Sequence, residues 1–471
     1  MALNPVGPDL SSELATGLSR PPLRDVPPHY LQEPRGLFQG RAGLLVTPEN
    51  TREVAHVVTA CGRNHVGIVP FGGGTGLVGG QVCTNDPPPV ILSLERMNRI
   101  RSLERADAVI VAEAGVVLEH VDDAAAKAGM MFGLSLASGG SCQIGGNLAT
   151  NAGGIGVLRH GSARDLCLGL EAVLPDGSVW NGLSGLLKDN TGYDLKNLLI
   201  GSEGSLGVIT AASLKLAPRP AEEVAVFACV RDVGAAIGML ALFRAQLGGL
   251  VSAFELIHRQ GFAFLAEKLP QVRVPFAEPD EWMVLADIGG PAGAGVQRRL
   301  EAVLQTALKA GLVGNAVLSQ NEAQRHAFWQ VRESIPEANR LIGAISTHDI
   351  SVRVSRIPDL INGARLAIEA LGSDLRINCF GHLGDGNLHL NAYPPKGRAR
   401  EEFRHLRQPL KDAVFDVVHG LGGSISAEHG IGRLKVADLE RYGDPARLAA
   451  MRAIKAALDP LGIMNPGAVI G

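Results

Sequence analysis

A polar stretch at residues 375–393 carries side chains that are suited to binding a metal ion. Asp385-Gly386 is a turn signal for a two-residue β-hairpin between two runs in which polar and apolar residues alternate. Pairing about that turn places His382 opposite His389, with Cβ atoms about 4.5–5.5 Å apart, close enough to share one metal ion. The alternative is a pair of ordinary surface or core histidines. The apolar hairpin face is predicted to lie in the core and the other to line a cleft. This polar face comprises Asn378, Phe380, His382, Asn387, His389 and Asn391.

A third metal ligand is available in the segment 426–430, which reads Ser-Ala-Glu-His-Gly. Glu428 would complete a set of two histidines and one glutamate that leaves one coordination position open, as in catalytic zinc sites. Spacing alone does not distinguish zinc from manganese or iron. The sequence therefore predicts a metal site formed by His382, His389 and Glu428.

Three glycine runs, at residues 72–80, 138–161 and 188–207, are predicted to form functional loops. The first contains a GxGxxG match, but a dinucleotide-binding fingerprint must open a helix, and three prolines follow at residues 87–89. We therefore predict no nicotinamide site there, and the run is either an anion-binding loop or a tight turn. The second run has little charge and many small residues, which suits either a large flat ligand or a packed glycine-rich crossing in the core.

Hydrophobic periodicity predicts the elements that position these residues. Short strands at 44–46 and 66–71 flank a helix opened by residues 47–50, and the second strand runs directly into the first glycine run. Further along the chain, two strand–helix units are predicted at 223–246 and 282–310. Such alternation indicates an α/β or α+β domain.

The segments PFGGGTGL, GGNLATNAGG and GSEGSLGVIT resemble the pyrophosphate- and flavin-binding segments of the vanillyl-alcohol oxidase/PCMH superfamily of FAD enzymes. The resemblance covers residues 40–467 and is greatest to the subgroup of D-lactate, glycolate and D-2-hydroxyglutarate dehydrogenases. Many relatives attach the flavin through a histidine in the first run. Residues 72–80 hold neither His nor Tyr, so FAD is predicted to bind non-covalently. By this resemblance, the residues that line FAD are Gly72, Gly73, Gly74, Thr75, Gly76, Leu77, Ser141, Gly145, Gly146, Thr150, Asn151, Gly153, Gly154, Gly207 and Ile209.

The resemblance implies an α+β fold with a PCMH-type FAD-binding domain of two α/β subdomains and an α/β substrate-binding cap. We predict an irregular N-terminal segment at 1–40, the FAD-binding domain at 41–218 and the cap, with the metal hairpin, at 219–420. The C-terminal segment, 421–471, returns to the FAD domain and completes the active site.

The same resemblance assigns roles to individual residues. His382, His389 and Glu428 are expected to bind Zn²⁺ or Mn²⁺, His429 to act as the base and Asn391 to contact the substrate.

Arg332 sits where the family keeps an arginine for the substrate carboxylate, and its planar guanidinium suits bidentate binding. The alternative is a solvated helical arginine paired with Glu333 or Glu337.

The sequence departs from the family at four positions. Thr347 stands where relatives active on hydroxyglutarate have a lysine, Pro336 replaces a hydroxyl residue and Arg353 replaces a proline. Ala468 replaces a lysine that the family has near its C-terminus, so the role of that lysine is lost or moved in this chain.

Composition restricts the partners and the compartment. The chain has 471 residues, enough for about three domain-sized units. Its net charge of −3 and its 4% of aromatic residues argue against a nucleic-acid-binding protein. Six cysteines without a CxxC pair favour reduced thiols and the cytoplasm. The first 28 residues contain six prolines and resemble no signal peptide, and no run of 18 apolar residues occurs. Peripheral contact with the inner face of a membrane stays open.

These observations predict a flavoenzyme that oxidises a D-2-hydroxy acid to the 2-keto acid. Arg332 would hold the carboxylate, the metal would lower the pKa of the hydroxyl, His429 would take its proton, and the Cα hydrogen would pass as hydride to flavin N5. The acceptor is expected to be a quinone or an electron-transfer flavoprotein, not NAD. The alternative is a non-catalytic or assembly subunit of a multi-subunit glycolate oxidase. The sequence does not decide which acid is used or whether the protein forms a homodimer.

Overall fold

The architecture is taken from a computed structural model that describes residues 2–372 and 374–470. Its strands are β1 Leu44–Val46, β2 Ile68–Phe71, β3 Val90–Ser93, β4 Ile100–Glu104, β5 Val109–Glu113, β6 Met130–Phe132, β7 Cys167–Val173, β8 Val179–Gly182, β9 Val208–Pro218, β10 Glu222–Val230, β11 Val251–His258, β12 Trp282–Gly290, β13 Val313–Leu318, β14 Asp349–Ser351, β15 Arg376–His382 and β16 Asn387–Tyr393.

Its α-helices are α1 Pro8–Gly17, α2 Thr51–Asn64, α3 Leu118–Lys127, α4 Ile144–Ala149, α5 Val157–His160, α6 Ala163–Leu166, α7 Leu195–Leu199, α8 Val233–Leu247, α9 Arg259–Lys268, α10 Val296–Lys309, α11 Glu322–Ile342, α12 Ile357–Glu369, α13 Arg407–Gly420, α14 Val436–Tyr442 and α15 Pro445–Leu458. Short 3₁₀ turns lie at Pro28–Tyr30, Gly248–Leu250, Val354–Arg356 and Arg400–Leu406.

The first of two compact units contains the residues up to Gly153, Gly161–Arg219 and those from Glu428 onward. Strands β1, β3 and β2 form a parallel sheet, and β4-β5-β9-β7-β8 form an antiparallel one, with β6 on β9. Helix α2 begins after Asn50, whose side chain accepts a hydrogen bond from the Glu53 amide. Its buried apolar stripe packs in the same core as the parallel sheet, as the periodicity predicts.

Helix α1 lies in the segment predicted to be irregular, so that prediction is wrong for Pro8–Gly17. Leu10 and Leu14, one helical turn apart, are buried in the core that also holds α2. Pro8 occupies the first turn, where a missing N–H breaks no helical hydrogen bond. A proline in the segment predicted to be irregular therefore starts a helix.

The second unit contains Gly154–His160 and Pro220–Ala427. Seven antiparallel strands form one sheet in the order β13-β10-β12-β11-β15-β16-β14. Both predicted strand–helix units are present, as β10 with α8 and β12 with α10. The core includes Phe227, whose ring packs edge-on against Phe262, Phe276 and Phe328 at centroid distances of 5.8–5.9 Å. The sheet brings β11, β14, β15 and β16 side by side, which positions the polar hairpin.

One stretch of the described residues, 233–250, is long and apolar enough to cross a membrane by length and composition alone. Within its unit, α8 buries Met239, Leu240 and Phe243, and Arg244 donates a hydrogen bond to the carbonyl of Gly384. Both observations are typical of a core helix.

Candidate active site

The hairpin formed by β15 and β16 has a different register from the predicted one. His389 pairs with Phe380, and His382 pairs with Asn387. The prediction that His382 directly faces His389 is wrong, because the loop takes the four residues 383–386. Both Asp385 and Gly386 direct their amide N–H to the carbonyl of His382, which closes this longer loop.

The two histidines nevertheless share one face of the hairpin. A register shift of two residues leaves every side chain on its original face, because strand side chains alternate with period two. The rings of His382 and His389 are diagonal neighbours with centroids 6.2 Å apart. One ring nitrogen of each lies within 4.8 Å of the other, which fits ligation of a common ion.

Two carboxylates flank the histidines in neighbouring strands. Glu255 on β11 is directly opposite His382, and Asp349 on β14 is directly opposite His389. Sequence reasoning gave neither a role. The available signal for Glu255 is a charged residue inside the apolar run of Val251–His258, because a buried charge in a central strand needs a partner.

Glu255 forms two hydrogen bonds, one through each carboxylate oxygen. His382 Nδ1 donates to Oε1 at 2.6 Å, and Arg332 Nε donates to Oε2 at 2.8 Å. Burial raises the pKa of Glu255, but the charges of His382 and Arg332 and their hydrogen bonds outweigh it and lower the pKa to about 2. An ionised carboxylate only accepts hydrogen bonds, so Nδ1 of His382 carries a proton, and Nε2 is the ring nitrogen suited to binding a metal ion.

Arg332 is buried on α11, which excludes the solvated alternative. Its guanidinium lies 4.8 Å from the ring centroid of Phe380. Among the residues that the structure describes, Glu255 is its only hydrogen-bonding partner, while Glu337 pairs with Arg340. With Nε bonded to Glu255, the two terminal amino groups are the ones suited to a substrate carboxylate.

Asn391, predicted to contact the substrate, is buried and bonded within its own unit. Its Oδ1 accepts from the backbone N–H of His348, and its Nδ2 lies 3.3 Å from the hydroxyl of Tyr393. The ring of His348 is itself held between Ser346 and the Leu390 carbonyl. These bonds fasten β16 to the preceding loop, and the role of Asn391 toward substrate stays a prediction.

In the first unit, residues of the three glycine runs line one cleft. Of the residues predicted to line FAD, those at this cleft are Gly72, Gly73, Gly74, Thr75, Gly76, Gly145, Gly146, Thr150, Gly207 and Ile209.

The other five predicted FAD contacts do not line this cleft. They are Leu77, Ser141, Asn151, Gly153 and Gly154. Asn151 instead accepts hydrogen bonds from Ser162 and Arg164 and so holds the backbone of α6. Gly154 belongs to the second unit.

The cleft also contains residues that sequence reasoning missed. Gln143 Oε1 and Asn147 Nδ2 are buried polar atoms without a hydrogen-bond partner in the described part of the chain. Such atoms are rare in proteins unless a ligand or water satisfies them. At Gly73 a Cβ would lie 2.1 Å from the carbonyl oxygen of Ser141, so only glycine permits this close approach. Unsatisfied amides and closely packed glycines fit a flat, polar-edged ligand such as a flavin.

His429 lines the same cleft, and a ring nitrogen of His429 lies within 4.8 Å of a carboxylate oxygen of Glu428. Glu203 holds this segment: its carboxylate accepts the amides of Ile431 at 2.7 Å and Gly432 at 2.8 Å. Burial raises the pKa of Glu203, although these two amides oppose the shift. The bonds tie the segment that carries His429 to the third glycine run.

Arg433 adds a second attachment, since its guanidinium donates to the carbonyls of Gly79 and Gly80. Arg433 therefore attaches the C-terminal segment to the first glycine run.

Comparison with protein families decides the assignment. Residues 42–182 match the family described as FAD binding domain. Residues 219–469, more than half of the chain, match the family described as FAD linked oxidases, C-terminal domain. The chain belongs to the FAD-linked oxidases.

Similar curated proteins indicate which kind of FAD-linked oxidase this chain is. The chain is 38% identical to the mitochondrial D-2-hydroxyglutarate dehydrogenases of Arabidopsis thaliana and Bos taurus, covering 92% and 91% of this chain and 76% and 77% of theirs. It is 35% identical to a D-2-hydroxyglutarate dehydrogenase of Xanthomonas citri, over 90% of this chain and 88% of that one. Like them, this FAD-linked oxidase is a FAD-dependent D-2-hydroxyacid dehydrogenase, as predicted.

Solved structures confirm the predicted PCMH-type fold of this FAD-linked oxidase. A crystal structure of p-cresol methylhydroxylase with substrate bound superposes with a TM-score of 0.78, covering 99% of this chain and 98% of that one at 18% identity. An alkyldihydroxyacetonephosphate synthase gives a TM-score of 0.74 at 17% identity, covering 99% and 87%. At such low identity the likeness concerns the fold alone.

Proposed function

We propose that this dehydrogenase oxidises a D-2-hydroxy acid of the D-2-hydroxyglutarate or D-lactate type to the 2-keto acid, with non-covalent FAD and a divalent metal. The observation that carries the proposal is the buried Glu255, which joins Arg332, a carboxylate-binding group, to His382, a metal-binding group. A 2-hydroxy acid presents a carboxylate and a hydroxyl on adjacent carbons, the two groups that such a pair recognises.

Each residue has one task in this mechanism. Arg332 binds the C1 carboxylate and fixes the orientation of Cα. His382, His389 and Glu428 would hold Zn²⁺ or Mn²⁺. Glu428 directly follows Ala427, whose amide donates a hydrogen bond to the carbonyl of Asp349. His429 accepts the hydroxyl proton at a ring nitrogen.

The bound groups supply the remaining chemistry. A bound FAD would supply a hydride acceptor for the Cα hydrogen, and a bound metal would supply polarisation of the substrate hydroxyl, which lowers the pKa of that hydroxyl. The absence of His and Tyr from residues 72–80 supports non-covalent attachment. Gln143 and Asn147 are suited to hydrogen-bond the flavin edge.

The distal end of the substrate decides between the two acids. Thr347 replaces a lysine that would pair with a second carboxylate, and His348 is held in a buried network that keeps it from replacing that lysine. Arg353 lies exposed at the start of a 3₁₀ turn. A buried carboxylate without a cation is costly. The names of the relatives favour hydroxyglutarate, which we place slightly ahead of lactate and other monocarboxylates.

We propose a quinone or an electron-transfer flavoprotein as the electron acceptor. NAD is disfavoured because residues 72–89, all of which the structure describes, contain no helix to bind its pyrophosphate. The six cysteines are free and buried, which supports a reducing compartment, and we propose the cytoplasm, although the names of several relatives are mitochondrial. The alternative, a non-catalytic subunit, gains no support from relatives that are named as dehydrogenases.

A panel of acids tests this proposal. With a dye acceptor, we expect D-2-hydroxyglutarate, D-lactate and D-2-hydroxybutyrate to be oxidised in preference to their L-enantiomers. Comparison of kcat/KM among the three D-acids then shows which distal group the enzyme prefers. NAD in place of the dye should give no comparable rate. A preference for L-acids, or NADH formation at the rate of dye reduction, would overturn it.

A further inference from the structure

We infer that Glu255 is a positioning residue that fixes the metal ligand His382 and the carboxylate anchor Arg332 in one geometry. The inference rests on the proposed function, because it needs a metal at His382 and a substrate carboxylate at Arg332. It adds to that function a residue that touches neither substrate nor metal.

The register of the sheet places Glu255 where one carboxylate reaches both groups. Glu255 on β11 pairs with His382 on β15, and Arg332 reaches it from α11. The carboxylate is 1% exposed, and the side chains of His382 and Arg332 are 9% and 7% exposed. With bonds of 2.6 and 2.8 Å and so little exposure, each donor has the Glu255 carboxylate rather than bulk solvent as its partner.

This geometry has a chemical consequence for each partner. The bond at Nδ1 sets the tautomer of His382, so that Nε2 is the metal-binding atom, as in other carboxylate–histidine–metal arrangements. The bond at Nε orients the guanidinium group of Arg332, so that its two terminal amino groups form the edge that binds a carboxylate. One buried carboxylate thereby couples metal binding to substrate binding.

The substitution Glu255→Gln tests this coupling while changing little volume. An amide offers one acceptor oxygen and one donor nitrogen, so it can satisfy His382 or Arg332 but not both. We expect metal affinity, measured by chelator competition on the FAD-loaded protein, to fall about 10–100-fold. At saturating metal, KM for the hydroxy acid should rise by a larger factor than kcat falls, since the anchor is misoriented.

A matched control separates positioning from stability. Asp287 lies on the neighbouring strand β12, is buried and pairs with Arg325 in the same unit. Asp287→Asn removes a comparable buried ion pair away from His382, so we expect metal affinity and KM to stay at the wild-type values.

The outcomes are distinct. Wild-type protein that binds metal, together with a Glu255→Gln variant of equal affinity and equal KM, would overturn the inference and leave the proposed function standing. Wild-type protein that binds no metal would overturn both. If Glu255→Gln does not fold, Glu255→Asp is measured in the same way: the charge remains but the side chain is one methylene too short for both bonds, so weaker metal binding is again expected, and unchanged binding would refute the inference.

Discussion

Replacing His382 or His389 with Ala is expected to remove the divalent metal and to lower kcat about 10³-fold or more, while FAD stays bound. Metal polarisation of a reacting oxygen is worth several kcal/mol, and about 1.4 kcal/mol corresponds to a factor of ten in rate. FAD should remain because both histidines belong to the second unit, whereas the glycine cleft belongs to the first. Metal analysis, flavin absorbance and dye-linked turnover measure the three quantities.

The control for this prediction is His326→Ala. His326 is exposed on α11 and pairs with Glu322, so we expect metal, flavin and kcat to be unchanged. Full activity of the His382 or His389 variant in a demonstrably metal-free sample would contradict the assignment of these ligands.

Replacing His429 with Ala is expected to lower kcat about 10²–10⁴-fold, the usual contribution of a positioned general base. His429 lines the flavin cleft, and Glu203 fixes the segment that carries it through the amides of Ile431 and Gly432. The loss should appear in the rate at which substrate reduces the flavin, measured by rapid mixing. Added imidazole should restore part of that rate, because it replaces the missing proton acceptor.

His120→Ala is the matched control in the same unit, since His120 is exposed on α3 and away from the cleft. Its flavin reduction should equal that of the wild type. A His429→Ala variant with an unchanged reduction rate would show that another group takes the proton.

The polar hairpin illustrates what local sequence patterns can establish. Alternation with period two assigned His382 and His389 to one face correctly, because a shift of register by two residues does not change faces. The register itself depended on the loop, and the Asp385-Gly386 signal predicted a loop two residues too short. Their closeness could therefore be predicted, but not which residues face each other.

Long-range pairing explains what the sequence did not reveal. Glu255 and His382 are 127 positions apart, and their contact exists because β11 and β15 are neighbours in the sheet. No local pattern encodes the order of seven strands. Arg332 was recognised by resemblance, whereas its burial and its bond to Glu255 followed only from the packing of α11. The glycine runs were recognised because their backbone requirement is local, while the orphaned amides of Gln143 and Asn147 needed the packed cleft.

The most direct test of the central claim is reduction of the bound flavin by substrate without any electron acceptor. Purified protein is mixed anaerobically with D-2-hydroxyglutarate, D-lactate or the corresponding L-enantiomer, and the visible absorption of oxidised FAD is followed. We predict that at least one D-acid bleaches the flavin within a turnover time and yields one 2-keto acid per flavin, while its L-enantiomer does not. Flavin that stays oxidised with every D-acid, or that is reduced by the L-enantiomers instead, would contradict the account.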